Sequence, residues 1–65
     1  MRNRRIASAR LCLPSGQRLQ IPQVVEIGPD GAWTRYYALE QELPWTEWVM
    51  GEIVLHDDGS FTIGN

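Results

Sequence analysis

Residues 24–39 read VVEIGPDGAWTRYYAL, and this stretch decides the fold. Apolar and polar side chains alternate on both sides of the tetrapeptide GPDG at positions 28–31, which is the spacing of a half-buried strand. Proline in the second position and glycine in the fourth suit a type I turn that ends on a left-handed residue. The stretch therefore predicts two antiparallel strands, residues 24–27 and 33–39, joined as a hairpin.

The rest of the chain continues this pattern of short alternating segments separated by turns. Pro22 interrupts one segment and, because proline cannot donate to a sheet, predicts an edge position, a bulge or a break. The tetrapeptides PSGQ at 14–17 and DDGS at 57–60 are typical of tight turns. Residues 40–48 predict an ordered connection with room for one 3₁₀ turn, since Pro44 stops any longer helix. The predicted strands cover residues 5–13, 18–27, 33–39, 49–56 and 61–63.

Five to six short strands, with turns at intervals of roughly 8–15 residues and no long amphipathic helix, indicate an all-β protein. We expect a small antiparallel β-sandwich or a partly open β-barrel built from hairpins. Residues 1–4 form a basic N-terminus that is expected to fray, and residues 5–65 form a single small β domain. The expected core is formed by Leu11, Leu13, Leu19, Ile21, Val25, Ile27, Tyr37, Leu39, Ile53 and Leu55.

The composition describes a small globular domain without disulfides. The chain has 65 residues, and the free energy gained by burying its apolar side chains is roughly offset by the entropy of ordering the chain. We therefore expect marginal stability, which a partner or a second copy would increase. The one cysteine, Cys12, favours a reducing compartment, and neither a signal peptide nor a membrane span is recognisable. The expected location is cytoplasmic, without membrane contact.

Charge is distributed unevenly along the sequence. Residues 1–20 contain five arginines and no acidic residue, a charge of +5, whereas residues 21–65 contain one arginine and eight acidic residues, a charge of −7. The basic segment could contact nucleic acid. The favoured interpretation is that it pairs beside acidic strands, within the fold or across a dimer, because a nucleic-acid-binding face usually carries net positive charge.

The sequence lacks the residue clusters that catalysis or metal binding requires. Its only cysteine and only histidine, Cys12 and His56, lie in different predicted strands. The two aspartates that follow His56 are typical turn residues. No glycine-rich phosphate loop leads into a helix. We therefore expect neither an enzyme nor a protein with a cofactor or structural metal.

Five of the six aromatic residues lie between positions 33 and 48, and they could fill the core of a small β fold. Alternation places Trp33 and Tyr37 on one face of their strand and Tyr36 on the other, so not all rings can point inward. At least one ring of Trp45 and Trp48 is expected to be exposed, as at a protein interface. The predicted site consists of Trp45, Trp48, Tyr36 and Glu47.

These features favour a non-catalytic protein-interaction or accessory module. It would contact a protein partner, or a second copy of itself, through an aromatic patch around Trp45 and Trp48. The alternative is a domain that binds a sugar or a base by stacking it on both tryptophans and Tyr36, with Glu47 or Glu52 as hydrogen-bond acceptor. Nucleic-acid binding through the arginines of the first strand is a third and less favoured function.

The order of these features resembles a known family. The segment LCLPSG at 11–16, the hairpin over 24–33 and the glycine-led segment GEIVL at 51–55 are similar to the small β domain that precedes the catalytic barrel in amidohydrolases of the urease and dihydroorotase type. The resemblance implies a small β-sandwich or barrel fold. In that family the last strand leads into a His-x-His metal motif, whereas here the sequence continues as HDDG at 56–59. The resemblance therefore implies the β domain without its metal ligands and catalytic barrel.

Overall fold

The hairpin expected from residues 24–39 is present in the computed structural model, which describes residues 3–40 and 46–64. The described residues contain β-strands and no helix, so the predicted all-β class is confirmed. The strands are β1 (Arg4–Ser8), β2 (Arg10–Cys12), β3 (Arg18–Leu19), β4 (Gln23–Ile27), β5 (Trp33–Ala38), β6 (Thr46–Trp48), β7 (Glu52–Leu55) and β8 (Phe61–Gly64).

The strands form two four-stranded sheets, which pack as a small β-sandwich and are not closed into a barrel. Sheet A has the order β5-β4-β1-β6, and sheet B has the order β3-β2-β7-β8. Hairpins account for the antiparallel pairs β2·β3, β4·β5 and β7·β8. The pairs β1·β6 and β2·β7 are parallel. The sheets are therefore mixed, whereas the sequence predicts purely antiparallel pairing.

The parallel pairs arise because two segments of the chain pass from sheet A to sheet B side by side. The first segment leaves sheet A after Ser8 and enters sheet B at Arg10, with the exposed Ala9 between them. The second segment crosses between Trp48 and Glu52. Both segments run in the same direction, and their pairing is therefore parallel on either side of the crossing.

The Ser8 side chain links the two crossings. Its buried hydroxyl donates a hydrogen bond to the carbonyl oxygen of Gly51 and accepts one from the backbone N–H of Arg10 at 3.2 Å. Beside it, the backbone N–H of Val49 donates to the carbonyl oxygen of Ala7 at 2.7 Å. These bonds provide partners for backbone groups where the regular ladders are interrupted.

Because of the two crossings, two of the predicted strands differ from those observed. Residues 5–13 form two strands, the first of which begins at Arg4, and not the single expected strand. Residues 46–48, expected in a connection, form β6, and the strand expected over 49–56 begins only at Glu52. The segment 18–27 breaks at Pro22 into β3 and β4, which is one of the outcomes that this proline predicts. The described residues therefore form eight strands and not five or six.

The core lies between the two sheets. Its buried apolar residues are Ile6, Leu11, Val25, Ile27, Ile53 and Leu55. Leu13 and Leu19 are partly buried against this cluster, whereas Tyr37 and Leu39 are half-buried outside it. Ile21 is 58% exposed, so its assignment to the core is wrong. It lies in the link between β3 and β4, outside both sheets.

Ile6 is a core residue that the alternation did not select. A continuous strand over residues 5–13 would place Ile6 and Leu11 on opposite faces. Because the chain changes sheets at Ala9, both side chains turn toward the space between the sheets and are buried there.

Each of the three hairpin turns contains one glycine with positive φ: Gly16, Gly31 and Gly59. In the turn after β4, the N–H of Gly28 donates to the carbonyl oxygen of Ala32 at 2.8 Å, and the N–H of Gly31 donates to that of Gly28 at 3.0 Å. The carboxylate of Asp30 accepts from the N–H of Ala32 at 3.2 Å. The expected turn with a left-handed Gly31 is confirmed.

Candidate interaction surfaces

One face of sheet A points away from the core cluster, and we call it the outward face. It carries a row of side chains that crosses all four strands. Strand pairing places Tyr37 of β5 beside Val24 of β4. It also places Val24 beside Ala7 of β1, and Ala7 beside Trp48 of β6. Val24 and Ala7 are fully buried, whereas Trp48 is 52% exposed. The expectation that at least one ring of Trp45 and Trp48 is exposed is therefore confirmed for Trp48.

Two large apolar side chains are exposed where β6 ends. β6 is an edge strand of sheet A, because its only strand partner among the described residues is β1. Met50 follows Trp48 after one residue, lies in the crossing segment and is 88% exposed. We call Trp48 and Met50 the β6 edge surface. The predicted site, which is built on aromatic residues and Glu47, does not include Met50.

The other predicted site residues do not join Trp48 on its face. Glu47 precedes Trp48 in β6, so its side chain points to the opposite side, where it accepts a hydrogen bond from Arg4 at 3.1 Å. Tyr36 lies on β5, at the other edge of sheet A, and on the face turned toward sheet B. Three strand spacings, about 14 Å, separate β5 from β6. Trp45 lies outside the described residues.

A bulge decides which aromatic residue of β5 faces the core. The register between β4 and β5 shifts by one residue beside Ile27, which lies opposite Trp33. Trp33 therefore packs against the core, and its indole N–H donates to the carbonyl oxygen of His56 at 2.9 Å. The expectation that Trp33 and Tyr37 share a face is wrong, because it assumed strict alternation along the whole strand.

A carboxylate lies at the centre of the neighbouring row on the outward face of sheet A. Glu26 accepts hydrogen bonds from Nε and Nη2 of Arg35 at 3.0 and 3.2 Å, and from the hydroxyl of Tyr37 at 2.7 Å. Nε of Arg5 lies 3.7 Å from the same carboxylate. These four residues, which we call the Glu26 cluster, tie β1, β4 and β5 together.

The protonation states of the Glu26 cluster follow from these contacts. The hydrogen bonds from Arg35 hold the pKa of the Glu26 carboxyl below its usual value, and the bond from Tyr37 lowers this pKa further. Burial raises the pKa of the Tyr37 phenol, and its bond to ionised Glu26 raises it as well. Glu26 is thus an ionised acceptor at neutral pH, and a carboxylate with a lowered pKa is a weak general base.

Arginines of the first twenty residues face carboxylates on other strands. The pairs are Arg4 with Glu47 at 3.1 Å, Arg5 with Glu26 at 3.7 Å and Arg18 with Glu52 at 3.6 Å. The interpretation that the basic segment lies beside acidic strands within the fold is confirmed for these pairs. The Arg4–Glu47 pair is largely exposed, and such pairs contribute little to stability.

The side chains of Cys12 and His56 each lie near one polar group of the described residues. The half-buried thiol of Cys12 lies 3.7 Å from the carbonyl oxygen of Leu13. Nε2 of His56 lies 3.4 Å from the hydroxyl of Thr62. Within residues 3–40 and 46–64, no three His, Cys, Asp or Glu side chains are placed to hold a metal ion, and no helix is long and apolar enough to cross a membrane.

Comparison with known proteins gives no match to a protein-family model, to a curated protein or to a solved structure. The resemblance to the β domain of amidohydrolases therefore stays a prediction.

Proposed function

We propose that this chain is a non-catalytic interaction or accessory module that docks on a protein partner through the β6 edge surface. The observation that carries the proposal is the position of Trp48, whose ring is half exposed on an edge strand. Burying such a ring removes a large apolar area from water, so exposed tryptophans often anchor protein interfaces. Met50 adds a flexible side chain that can adapt to the partner.

The contacts around Trp48 favour a protein over a small ligand. The small-ligand alternative requires Tyr36 beside Trp48, but Tyr36 lies at the other edge and on the other face of sheet A. Glu47, the expected acceptor for that ligand, is bonded to Arg4 on the side of β6 away from Trp48. Apolar side chains with charged residues close by are the usual composition of a protein interface.

Nucleic acid is the least favoured partner. Binding a phosphate backbone requires arginines that are free to replace its counterions. Arg4 and Arg18 each face a carboxylate within 4.0 Å, so a phosphate would have to compete with Glu47 and Glu52. The nearby negative charges would also repel the backbone.

We further propose that this chain catalyses no reaction and that it is cytoplasmic. Glu26 is held ionised by its hydrogen bonds, which suits a structural carboxylate better than a proton acceptor. The free thiol of Cys12 suits a reducing compartment. The resemblance to amidohydrolases supports an accessory role, because in that family the β domain accompanies a separate catalytic barrel.

The test compares Trp48→Ala with Ile21→Ala, a control that truncates a similarly exposed apolar side chain in the β3–β4 link. The immobilised chain captures a partner from a lysate of its source organism, and the purified partner is then titrated against each variant. We expect Trp48→Ala to raise the dissociation constant by about 30-fold, the loss typical of an interface tryptophan. Ile21→Ala should leave the dissociation constant unchanged.

Circular dichroism and thermal melting control for folding. Equal affinity of Trp48→Ala and the wild type for the purified partner would overturn the proposal, as would unfolding of Trp48→Ala, because the ring would then be a packing residue. A tryptophan fluorescence response to sugars or bases that Trp48→Ala abolishes, without any protein partner, would establish the small-ligand alternative in its place.

A further inference from the structure

The two sheets have four edge strands, and these differ in how well they are protected against pairing with another chain. β3 has only two residues, one of them the charged Arg18. β5 carries Arg35, and β6 carries Glu47 at its centre. β8, Phe61–Gly64, contains no charge and no proline. Charges, prolines and short length are the usual means of protecting an edge, so β8 is the least protected of the four.

The hydrogen-bond pattern determines which backbone groups β8 presents at its free edge. The N–H of His56 donates to the carbonyl oxygen of Ser60 at 2.9 Å, which makes these two residues a hydrogen-bonded pair. Alternation along the antiparallel ladder then directs the N–H and C=O of Thr62 toward β7. The N–H and C=O groups of Phe61 and Ile63 point the other way, where no described strand lies.

We propose that β8 is a self-pairing edge, which joins β8 of a second copy of this chain in antiparallel orientation about a two-fold axis at Thr62. In this register Phe61 of each copy lies opposite Ile63 of the other, and their outward backbone groups exchange four hydrogen bonds. Sheet B would thereby become one eight-stranded sheet with the order β3-β2-β7-β8-β8-β7-β2-β3.

The side chains of β8 are complementary to themselves in this register. Ile63 faces the core side of sheet B, as its partner Ile53 does, yet it is 52% exposed because no strand of the described residues covers it. Self-pairing would place Phe61 of the second copy beside it, and aromatic residues pair favourably with β-branched ones across strands. On the other face, Thr62 would meet Thr62 of the second copy, another favourable cross-strand pair.

Self-pairing of β5 or of β6 meets like charges. In an antiparallel pair of two β6 strands centred on Glu47, that carboxylate would oppose its own copy. Two β5 strands would bring their Arg35 side chains close to each other in the central registers. Directly opposed like charges destabilise a sheet. This difference in charge makes β8 better suited than β5 or β6 to pair with its own copy.

The test measures the mass of the full chain by sedimentation from about 10 µM to about 1 mM, the range suited to a small interface. We expect a monomer–dimer equilibrium in the wild type. Ile63→Lys should raise the dimer dissociation constant at least about tenfold, because it adds a charge to the edge. Ile21→Lys, the same change at a similarly exposed isoleucine away from β8, should not alter it.

Two further measurements separate backbone pairing from simple apolar contact. Ile63→Pro removes an outward N–H without touching the ladder to β7, and it should abolish the dimer while urea unfolding shows an intact fold. In the wild type, exchange of the Phe61 and Ile63 amide hydrogens should slow as protein concentration rises. The Thr62 amide, bonded to β7, should exchange at the same rate throughout.

A wild type that stays monomeric at about 1 mM would overturn the proposal, as would a dimer that Ile63→Lys and Ile63→Pro leave unchanged. A monomer whose partner capture is lost in Ile63→Lys would assign the edge to a strand of another protein and would equally overturn self-pairing. Because Trp48 lies in sheet A and Ile63 in sheet B, loss of the dimer and loss of the proposed partner contact are measured with different variants.

Discussion

The hydroxyl of Ser8 donates a hydrogen bond to the carbonyl oxygen of Gly51, and this bond joins the two points at which the chain changes sheets. At Gly51 there is no room for a side chain. A Cβ there would overlap the backbone of Gly64 at the end of β8. A buried serine and a glycine without side-chain space thus allow both crossings to lie side by side.

Replacing Ser8 with alanine removes this bridge without adding bulk. The carbonyl of Gly51 and the N–H of Arg10 then lose a buried partner, so we expect Ser8→Ala to lower the free energy of unfolding by about 1–3 kcal/mol. Urea unfolding at neutral pH measures the change. Ser15→Ala is the control, because Ser15 accepts only a 3.4 Å bond in an exposed turn. Equal losses for the two variants would show that the bridge adds nothing to stability.

Gly31 provides a test of backbone strain in the β4–β5 turn. Its φ is +88°, and a Cβ built there would meet no atom within 4 Å, so any cost of substitution comes from the backbone conformation alone. We expect Gly31→Val to lower stability by about 1–2 kcal/mol, seen as a lower melting temperature. Gly31→Asn should cost less, because asparagine tolerates the left-handed region. Identical melting of both variants and the wild type would contradict the assignment of strain.

The hairpin over residues 24–39 could be predicted from the sequence because its signals are local. Turn chemistry at 28–31 and alternation on both sides are contained within sixteen residues. The break at Ala9 could not be predicted from the sequence, because no glycine or proline marks it. It depends on pairing with a segment some forty residues later in the chain, through contacts such as Ser8 with Gly51. β6 has only three residues, too few to show a period.

The candidate site could be predicted only in part for the same reason. An exposed ring near Trp48 follows from the surplus of aromatic residues between positions 33 and 48. Which residues share its face depends on strand order and on the bulge in β5, and neither is visible in the alternation. Tyr36 and Glu47 belong to the same predicted site as Trp48, but they lie on the other face of sheet A.

The Glu26 cluster makes stability depend on pH in a direction that its contacts determine. Because Arg35 and Tyr37 lower the pKa of the Glu26 carboxyl in the folded state, the unfolded chain binds its proton at higher pH than the folded chain does. Above the unfolded pKa, this stabilisation is fully present. It is lost as pH falls through the lowered pKa of the folded state.

We therefore expect Glu26→Gln to cost about 1 kcal/mol at pH 7, an amount limited by the exposure of Arg35. The difference from the wild type should shrink as pH falls from about 6 to about 2, because the wild-type carboxyl becomes protonated there. Urea unfolding across this range measures both curves. Glu47→Gln is the control, since its ion pair with Arg4 is largely exposed and should change stability little at any pH. Parallel curves for Glu26→Gln and the wild type would show that the folded state does not lower the pKa of Glu26.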